Sequence, residues 1–255
     1  MSVLLALTSA ALSAEPATRQ RACEPCCTIT GSVGLVSNYV FRGLTQTSQE
    51  PALQAGLLAT LPSGLYAGMW GSNVSWFSDA FPTTSSSLEL DLYAGYKHPL
   101  GEDFSCDVGL LRYQYPGDYP GIGGAVVEPD TTELYAALGW RMLTLKGSYS
   151  LGDTFGVHDS YGTWYADLTG NFELPQDFLL CLHAGRQEYS GESSGVSNDS
   201  LYSYSDYSAM LCRPIGMGFT LGVTYSHADT KDAGYTILGD NIGEDQWVLS
   251  LVRSF

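Results

Sequence analysis

"DQWVLSLVRSF", residues 245–255, decides the fold. Trp247, Leu249, Leu251 and Phe255 recur at every second position or a multiple of it, and Arg253 breaks the apolar row. Period two is the mark of a strand with one apolar face. Terminal residues of a domain ordinarily fray, so an aromatic-ended strand here predicts closure against another strand. Trp247, Leu249, Leu251 and Phe255 are the expected assembly signal, with Phe255 at the rim where the last strand meets the first.

The rest of the chain carries the same pattern. "ALQAGLLATL" sets Leu53, Leu57 and Leu61 against Gln54 and Thr60, and "LELDLYAGYK" sets Leu88, Leu90, Leu92 and Ala94 against Glu89, Asp91 and Tyr93. Phe104, Cys106, Val108 and Leu110 alternate with Ser105, Asp107 and Gly109. Further runs begin near Thr28, Leu65, Glu133, Leu143, Thr163, Asp177, Tyr204 and Gly218, the one at Leu65 ambiguous in parity and the one at Tyr204 weak, giving twelve strands with the last one. The first run, "TITGSVGLVSNYVFRG", reads as one long strand with Ile29, Val33, Leu35, Tyr39 and Phe41 on its apolar side.

The connections alternate strictly. Short turns fall near 62–64, 98–103, 141–142, 174–177 and 213–216, and long polar segments near 43–51, 78–87, 116–131, 152–161, 190–200 and 229–244. An even strand number with one trimmed rim and one elaborated rim describes an up-and-down antiparallel transmembrane β-barrel of the outer-membrane type. Arg112, Arg186 and Arg253 fall on the apolar parity, all near strand ends. A charge costs about 2–4 kcal/mol at the bilayer midplane and little at the interface, so lipid would enforce that placement. Aromatics on the same parity also gather at strand ends, Tyr39, Phe41 and Trp164 on the loop side, Phe104, Trp140, Phe172, Phe178, Phe219 and Phe255 on the turn side. Such girdles separate a membrane barrel from a soluble sandwich, which keeps its aromatics mid-strand.

Composition agrees. Of 255 residues only 15% are charged, while Gly (29) and Tyr (17) are abundant, which suits strands and turns. The net charge of −16 repels phosphates and excludes a nucleic-acid partner. Residues 1–14 resemble the apolar part of a secretory signal without its basic leader, residues 15–27 form a Cys-containing linker, and 28–255 the barrel. The expected site is the bacterial outer membrane, reached by export through the periplasm, with membrane lipid and the barrel-assembly machinery as partners.

"SNYVFRGLTQTSQEPALQAG" (residues 37–56), "GLYAGMW" (64–70), "LDLYAGYK" (90–97), "LLRYQYPGDY" (110–119) and Phe255 together resemble the TorF-type porin family, bacterial outer-membrane proteins first grouped as Gcw-type hypothetical proteins. The resemblance runs from about Thr28 to the end of the chain. It implies a barrel pore and leaves the solute open. The "CEPCC" segment does not belong to the pattern.

Inside such a barrel the polar parity faces the lumen. That places Arg42, Glu89, Asp91, Asp107, Glu133, Lys146 and Asp167 along the pore, with Lys97 nearby. Opposite charges across a constriction create a transverse field that orients solutes. Arg42 could equally serve to satisfy interior carboxylates. The excess of carboxylates predicts passage of small cationic or neutral polar solutes, and the alternative is a plugged barrel serving as a structural or surface-binding protein. Cys181 and Cys212 share a parity on neighbouring strands and are a candidate disulfide. Cys23, Cys26 and Cys27 lack partner histidines at ligand spacing, so no metal is expected, and no cofactor. "HDS" at 158–160 lies in a loop, His98, His183 and His227 stand alone, and neither a Gly-x-Ser-x-Gly elbow nor His-Glu-x-x-His occurs, so no enzyme activity is expected.

Overall fold

A sheet can cross lipid only if every backbone donor and acceptor is paired, which requires the sheet to close on itself. The computed structural model describes residues 27–124, 126–193 and 195–255. Twelve of its strands form that closed antiparallel barrel. In chain order they are β1 (Thr28–Val36), β4 (Ala52–Thr60), β5 (Leu65–Asn73), β6 (Leu88–Leu100), β7 (Phe104–Gln114) and β8 (Thr131–Trp140). They continue with β9 (Leu143–Ser150), β10 (Trp164–Leu174), β11 (Phe178–Glu188), β14 (Tyr204–Gly216), β15 (Phe219–Ala228) and β18 (Gln246–Ser254). Each pairs with its neighbours in sequence, and β1 pairs with β18 from Ser32↔Ser254 to Val36↔Ser250 to complete the ring.

The remaining strands are three small hairpins in the long loops: β2 (Val40–Phe41) with β3 (Leu44–Thr45), β12 (Glu192–Ser193) with β13 (Val196–Ser197), and β16 (Thr236–Ile237) with β17 (Asp240–Asn241). Short helices at Trp76–Ala80, Asn198–Tyr202 and Asp232–Tyr235 sit on the same rim.

The period-two reading of the faces holds along the walls. Leu53, Leu57, Leu92, Leu134, Leu168, Leu221 and Leu249 are exposed outward, while Gln54, Asp91, Glu133, Thr224 and Ser250 on the opposite parity are buried within. An exposed apolar band with a buried polar interior inverts a soluble protein, and lipid is the solvent that makes it stable. The outward arginines stand where the strands end. Arg112 pairs with Asp130 at 2.7 Å, Arg186 with Glu188 at 2.8 Å, and Arg253 lies 5.6 Å from the Phe219 ring centroid.

Two expectations need correction. The first barrel strand ends at Val36 instead of running on to Gly43, and Tyr39 and Phe41 are buried inside the barrel (3% and 9% exposed), not in the lipid girdle. Parity fails there because the chain leaves the wall. The last short turn is Met217–Gly218, since β14 continues to Gly216. The segments read as a signal (1–14) and most of the Cys-containing linker, with Cys23 and Cys26, lie outside the described residues.

Candidate functional site

The site is built by the first long loop, which folds into the barrel. Ser37 N–H donates to Leu249 O and Leu249 N–H donates to Ser37 Oγ, each at 2.9 Å, marking where the chain departs from the wall. Asn38 anchors the turn inward: its Nδ2 donates to Gln246 Oε1 (2.8 Å) and its Oδ1 accepts from Thr45 Oγ1 (2.6 Å). The β2–β3 hairpin then reverses at Arg42–Gly43, with φ of 46° and 80°. Two successive positive φ values make the tight turn whose twist matches a hairpin, and glycine is the natural second residue. A Cβ on Gly43 would lie 2.7 Å from the Cβ atoms of both Ala228 and Asp206, so the tip abuts the wall at β14 and β15.

The flank of the hairpin leans on β5–β8. The Tyr39 ring meets Trp70 edge-on at 5.3 Å and its hydroxyl donates to Glu89 Oε1 at 3.2 Å, while Phe41 packs on Tyr113 at 5.6 Å. Arg42 reaches across the axis. Its side chain is 6% exposed, Nη2 donates to Glu133 Oε2 at 2.8 Å, Nη1 donates to Gln187 Oε1 at 2.7 Å, and the guanidinium lies 4.1 Å from the Tyr165 ring centroid. Charge-assisted bonds plus ring stacking suit the planar, weakly hydrated guanidinium better than an ammonium.

Three spaces line up along the axis. A loop-side vestibule of about 380 Å³ is lined by aromatic residues of several loops. An inner cavity of about 100 Å³ is bounded by β1, β4, β5, β10, β11, β14, β15 and β18 and passes Thr169, His183, Asp206 and Ser208. A short-turn mouth of about 680 Å³ lies between Glu173, Leu179, Cys212 and Phe255. Phe41 and Arg42 line both the vestibule and the inner cavity, so they stand between the two. Burial holds the loop phenols Tyr189 and Tyr235 well above the usual tyrosine range, so the vestibule wall is uncharged there.

The residues singled out from sequence fall into separate groups. Arg42 and Glu133 meet directly, but Arg42 belongs to the hairpin tip and not to the top of a strand. Glu89 and Asp91 face inward yet lie beneath the hairpin, fully buried, away from the inner cavity. Three of their four oxygens, Glu89 Oε2 and both of Asp91, have no donor. Asp107 accepts from Tyr66 Oη at 2.5 Å, and Tyr66 in turn bonds Tyr135. Lys146 stands 4.6 Å from the Tyr135 ring centroid and opposite Asp167 in the β9–β10 register. Lys97 is exposed on β6 toward its short-turn end. Trp247 and Leu249 are strongly exposed outward (70% and 62%), with Leu251 and Phe255 on the same face.

Sequence reading missed a second cluster. His183 was expected to stand alone, but its Nε2 is 2.9 Å from Asp206 Oδ1 and its Nδ1 3.1 Å from Thr169 Oγ1. Tyr165 Oη donates to Asp206 Oδ2 at 3.0 Å and approaches His183 Nε2 at 2.9 Å. His227 is likewise flanked by Asp245 (2.9 Å) and Asp229 (3.2 Å). Asp206 lies in the run whose alternation is weakest, so no parity could be assigned to it. Cys181 and Cys212 are both free thiols here, with Cys181 opposite Met210 and Cys212 opposite Leu179 in the β11–β14 register. Among the described residues no group of three or more His, Cys, Asp or Glu is placed to hold a metal ion.

The Gcw_chp family, described as a bacterial protein of unknown function, matches residues 20–255. The chain belongs to the Gcw_chp family. No curated protein matches it in sequence. Among solved structures, the Gcw_chp barrel is similar to the KdgM porin (TM-score 0.52, 7% identity), over 89% of this chain and 98% of that one. The same porin has been solved in complex with disordered oligogalacturonate (TM-score 0.52, 8% identity, covering 89% and 98%). It is also similar to the COG4313 outer membrane channel from Pseudomonas putida F1 (TM-score 0.52, 13% identity), over 94% of this chain and all of that one. At these identities the likeness is one of fold. With the outward apolar band, it makes this Gcw_chp protein a twelve-stranded barrel of the bacterial outer membrane.

Proposed function

We propose that the barrel is a channel for passive diffusion of small cationic or neutral polar solutes, with Arg42 and Phe41 at its constriction. The observation that carries this reading is the axial series of vestibule, inner cavity and mouth. Its charge preference follows from the lining. Arg42 and Glu133 neutralise each other, leaving Asp107, Asp167 and Asp206 to face Lys146. Glu89 and Asp91 are sealed beneath the hairpin and do not touch this path. The residues act on solutes by position and charge, with no catalytic role.

A second reading, a plugged barrel that is structural or binds at its surface, draws on the same hairpin, which folds into the lumen from the loop side. Reconstitution into a planar bilayer decides. Conductance with a cation-directed reversal potential across a salt gradient supports the channel, and a silent membrane containing folded protein refutes it.

A further inference from the structure

The inner cavity passes a cluster of sulfur that a polar channel does not require. Cys181 on β11 lies directly across from Met210 on β14, and Cys212 is the next inward residue along β14. The three side chains pack together, and all are buried. Cys181 and Met210 line the inner cavity while Cys212 lines the short-turn mouth, so the cluster borders both spaces. Sulfur elsewhere in the barrel is not placed this way. Met69, Met142 and Met217 are exposed, whereas Met210 is only 3% exposed. Of the described cysteines, Cys181 and Cys212 are the buried ones.

A buried cysteine ordinarily serves as a small apolar filler, and a methionine fills irregular gaps. Filling alone does not call for all three in one corner of a wall that also carries Thr169, His183, Ser208 and Thr224. Thiolate and thioether sulfur together make a soft donor set, which favours Cu(I) over the hard ions that carboxylates hold. Zinc takes thiolate, imidazole or carboxylate ligands in sets of four, and a thioether does not belong among them. A metal–thiolate bond is about 2.3 Å long, so one ion can join two sulfurs up to about 4.6 Å apart. Cys181 and Cys212 sit on a cross-strand diagonal. Cα atoms so related stand about 7–8 Å apart with their Cβ atoms closer, a gap that two thiol arms and one ion fill. Asp206 on the same cavity adds negative charge that draws cations toward it.

From this we propose that Cys181, Met210 and Cys212 form a binding site for a soft univalent metal ion of the Cu(I) class. Binding forms two metal–thiolate bonds and one metal–thioether bond. Each cysteine S–H bond breaks and its proton passes to water in the lumen, while Met210 supplies a lone pair and loses nothing. The ion keeps its charge throughout, so the step needs no oxidant or reductant. The site goes beyond the channel proposed above, and its binding does not rest on that reading.

The probe is Ag(I), added as silver nitrate in chloride-free buffer. The full-length chain in lipid nanodiscs carries Cys23→Ser, Cys26→Ser, Cys27→Ser and Cys106→Ser, so that Cys181 and Cys212 are its remaining thiols. Equilibrium dialysis against reduced glutathione should leave one Ag(I) per barrel, with a sulfur-only shell by X-ray absorption. Cys181→Ser or Cys212→Ser leaves a single thiol and should cost about a hundredfold or more in affinity, the advantage of joining two ligands in one site. Met210→Leu, which keeps the volume and removes the thioether, should cost about tenfold. Met217→Leu, on the exposed short turn, should cost nothing. Heat-modifiable migration in detergent shows that each variant is folded. Loss of the ion to glutathione, wild-type affinity in either cysteine variant or in Met210→Leu, or a Cys181–Cys212 disulfide in protein isolated without reductant overturns the proposal. Retention of Ag(I) by a barrel that conducts nothing would uphold this site and refute the channel, so the two readings fail separately.

Discussion

Gly31 and Phe255 exchange both of their backbone hydrogen bonds, Gly31 N–H to Phe255 O at 2.8 Å and Phe255 N–H to Gly31 O at 3.0 Å. The Phe255 ring lies over Gly31 so closely that a Cβ there would meet ring carbons at 2.6 and 2.7 Å. The aromatic that follows β18 is thus folded across the first strand, using space that glycine leaves open.

That relationship predicts how the barrel closes. Gly31→Leu should push the ring off β1 and unlatch one end of the β1–β18 seam. Deletion of Phe255 removes both hydrogen bonds and the ring. Both changes should lower the yield of heat-modifiable barrel in membranes far more than deletion of Ser193, which lies in the loop hairpin β12–β13. Equal yields for all three would show that the seam closes without this pair.

Arg42 predicts a coupled change in stability and conduction. Arg42→Ala leaves Glu133 buried with only the 3.4 Å bond from Tyr113, and stranding one partner of a buried pair costs about 3–5 kcal/mol. The melting temperature should fall. The constriction should widen and gain negative charge, so conductance and cation preference should rise together. Arg42→Lys should restore charge without the bidentate reach to Glu133 and Gln187, recovering selectivity better than stability. Unchanged reversal potential in Arg42→Ala would remove the residue from the constriction.

Carboxylates on the two sides of the hairpin should behave differently. Asp206 lines the inner cavity, whereas Glu89 and Asp91 are sealed beneath Tyr39. Asp206→Asn should shift the reversal potential more than Glu89→Gln and Asp91→Asn combined. The shift should shrink as salt rises, because the screening length falls from about 10 Å at 0.1 M to about 3 Å at 1 M. The double variant should instead raise stability, since amides bring donors to a site where three carboxylate oxygens lack one. A larger selectivity shift from the double variant would place the ion path on the β5–β7 side.

Much of the barrel was legible because lipid imposes one rule on every strand: alternate, and turn back after a membrane's thickness. The alternation of Leu88, Leu90 and Leu92 with Glu89 and Asp91 fixed faces that the structure keeps. Legibility stopped where the chain left the wall. Tyr39 and Phe41 continue the apolar parity of β1 in sequence but point into the lumen, because period two has meaning only while a strand stays in the sheet. The weak run around Asp206 hid that residue, and with it the partner of His183. The vestibule was invisible for another reason: Trp76, Tyr115, Tyr202 and Tyr235 come from separate loops, and no local pattern joins them.

Gly43 offers the most direct test of the hairpin as the element that narrows the lumen. Its φ of 80° is a conformation that side chains adopt at a cost of about 1–2 kcal/mol, and its missing Cβ leaves room for the wall at Ala228 and Asp206. Gly101, in the short turn after β6, has a similar φ of 83° and nothing within 4 Å of its missing Cβ. Alanine at either position therefore carries the same backbone strain, but only Gly43→Ala also collides with the barrel. The hairpin is anchored at its base through Asn38 and Gln246, so the tip should swing away from β14 and β15 and open the gap beside Arg42. Gly43→Ala should lose at least as much stability as Gly101→Ala, and it alone should gain conductance. If both conduct like the wild type, the wall yields instead of the hairpin, and the tip does not set the width of the pore.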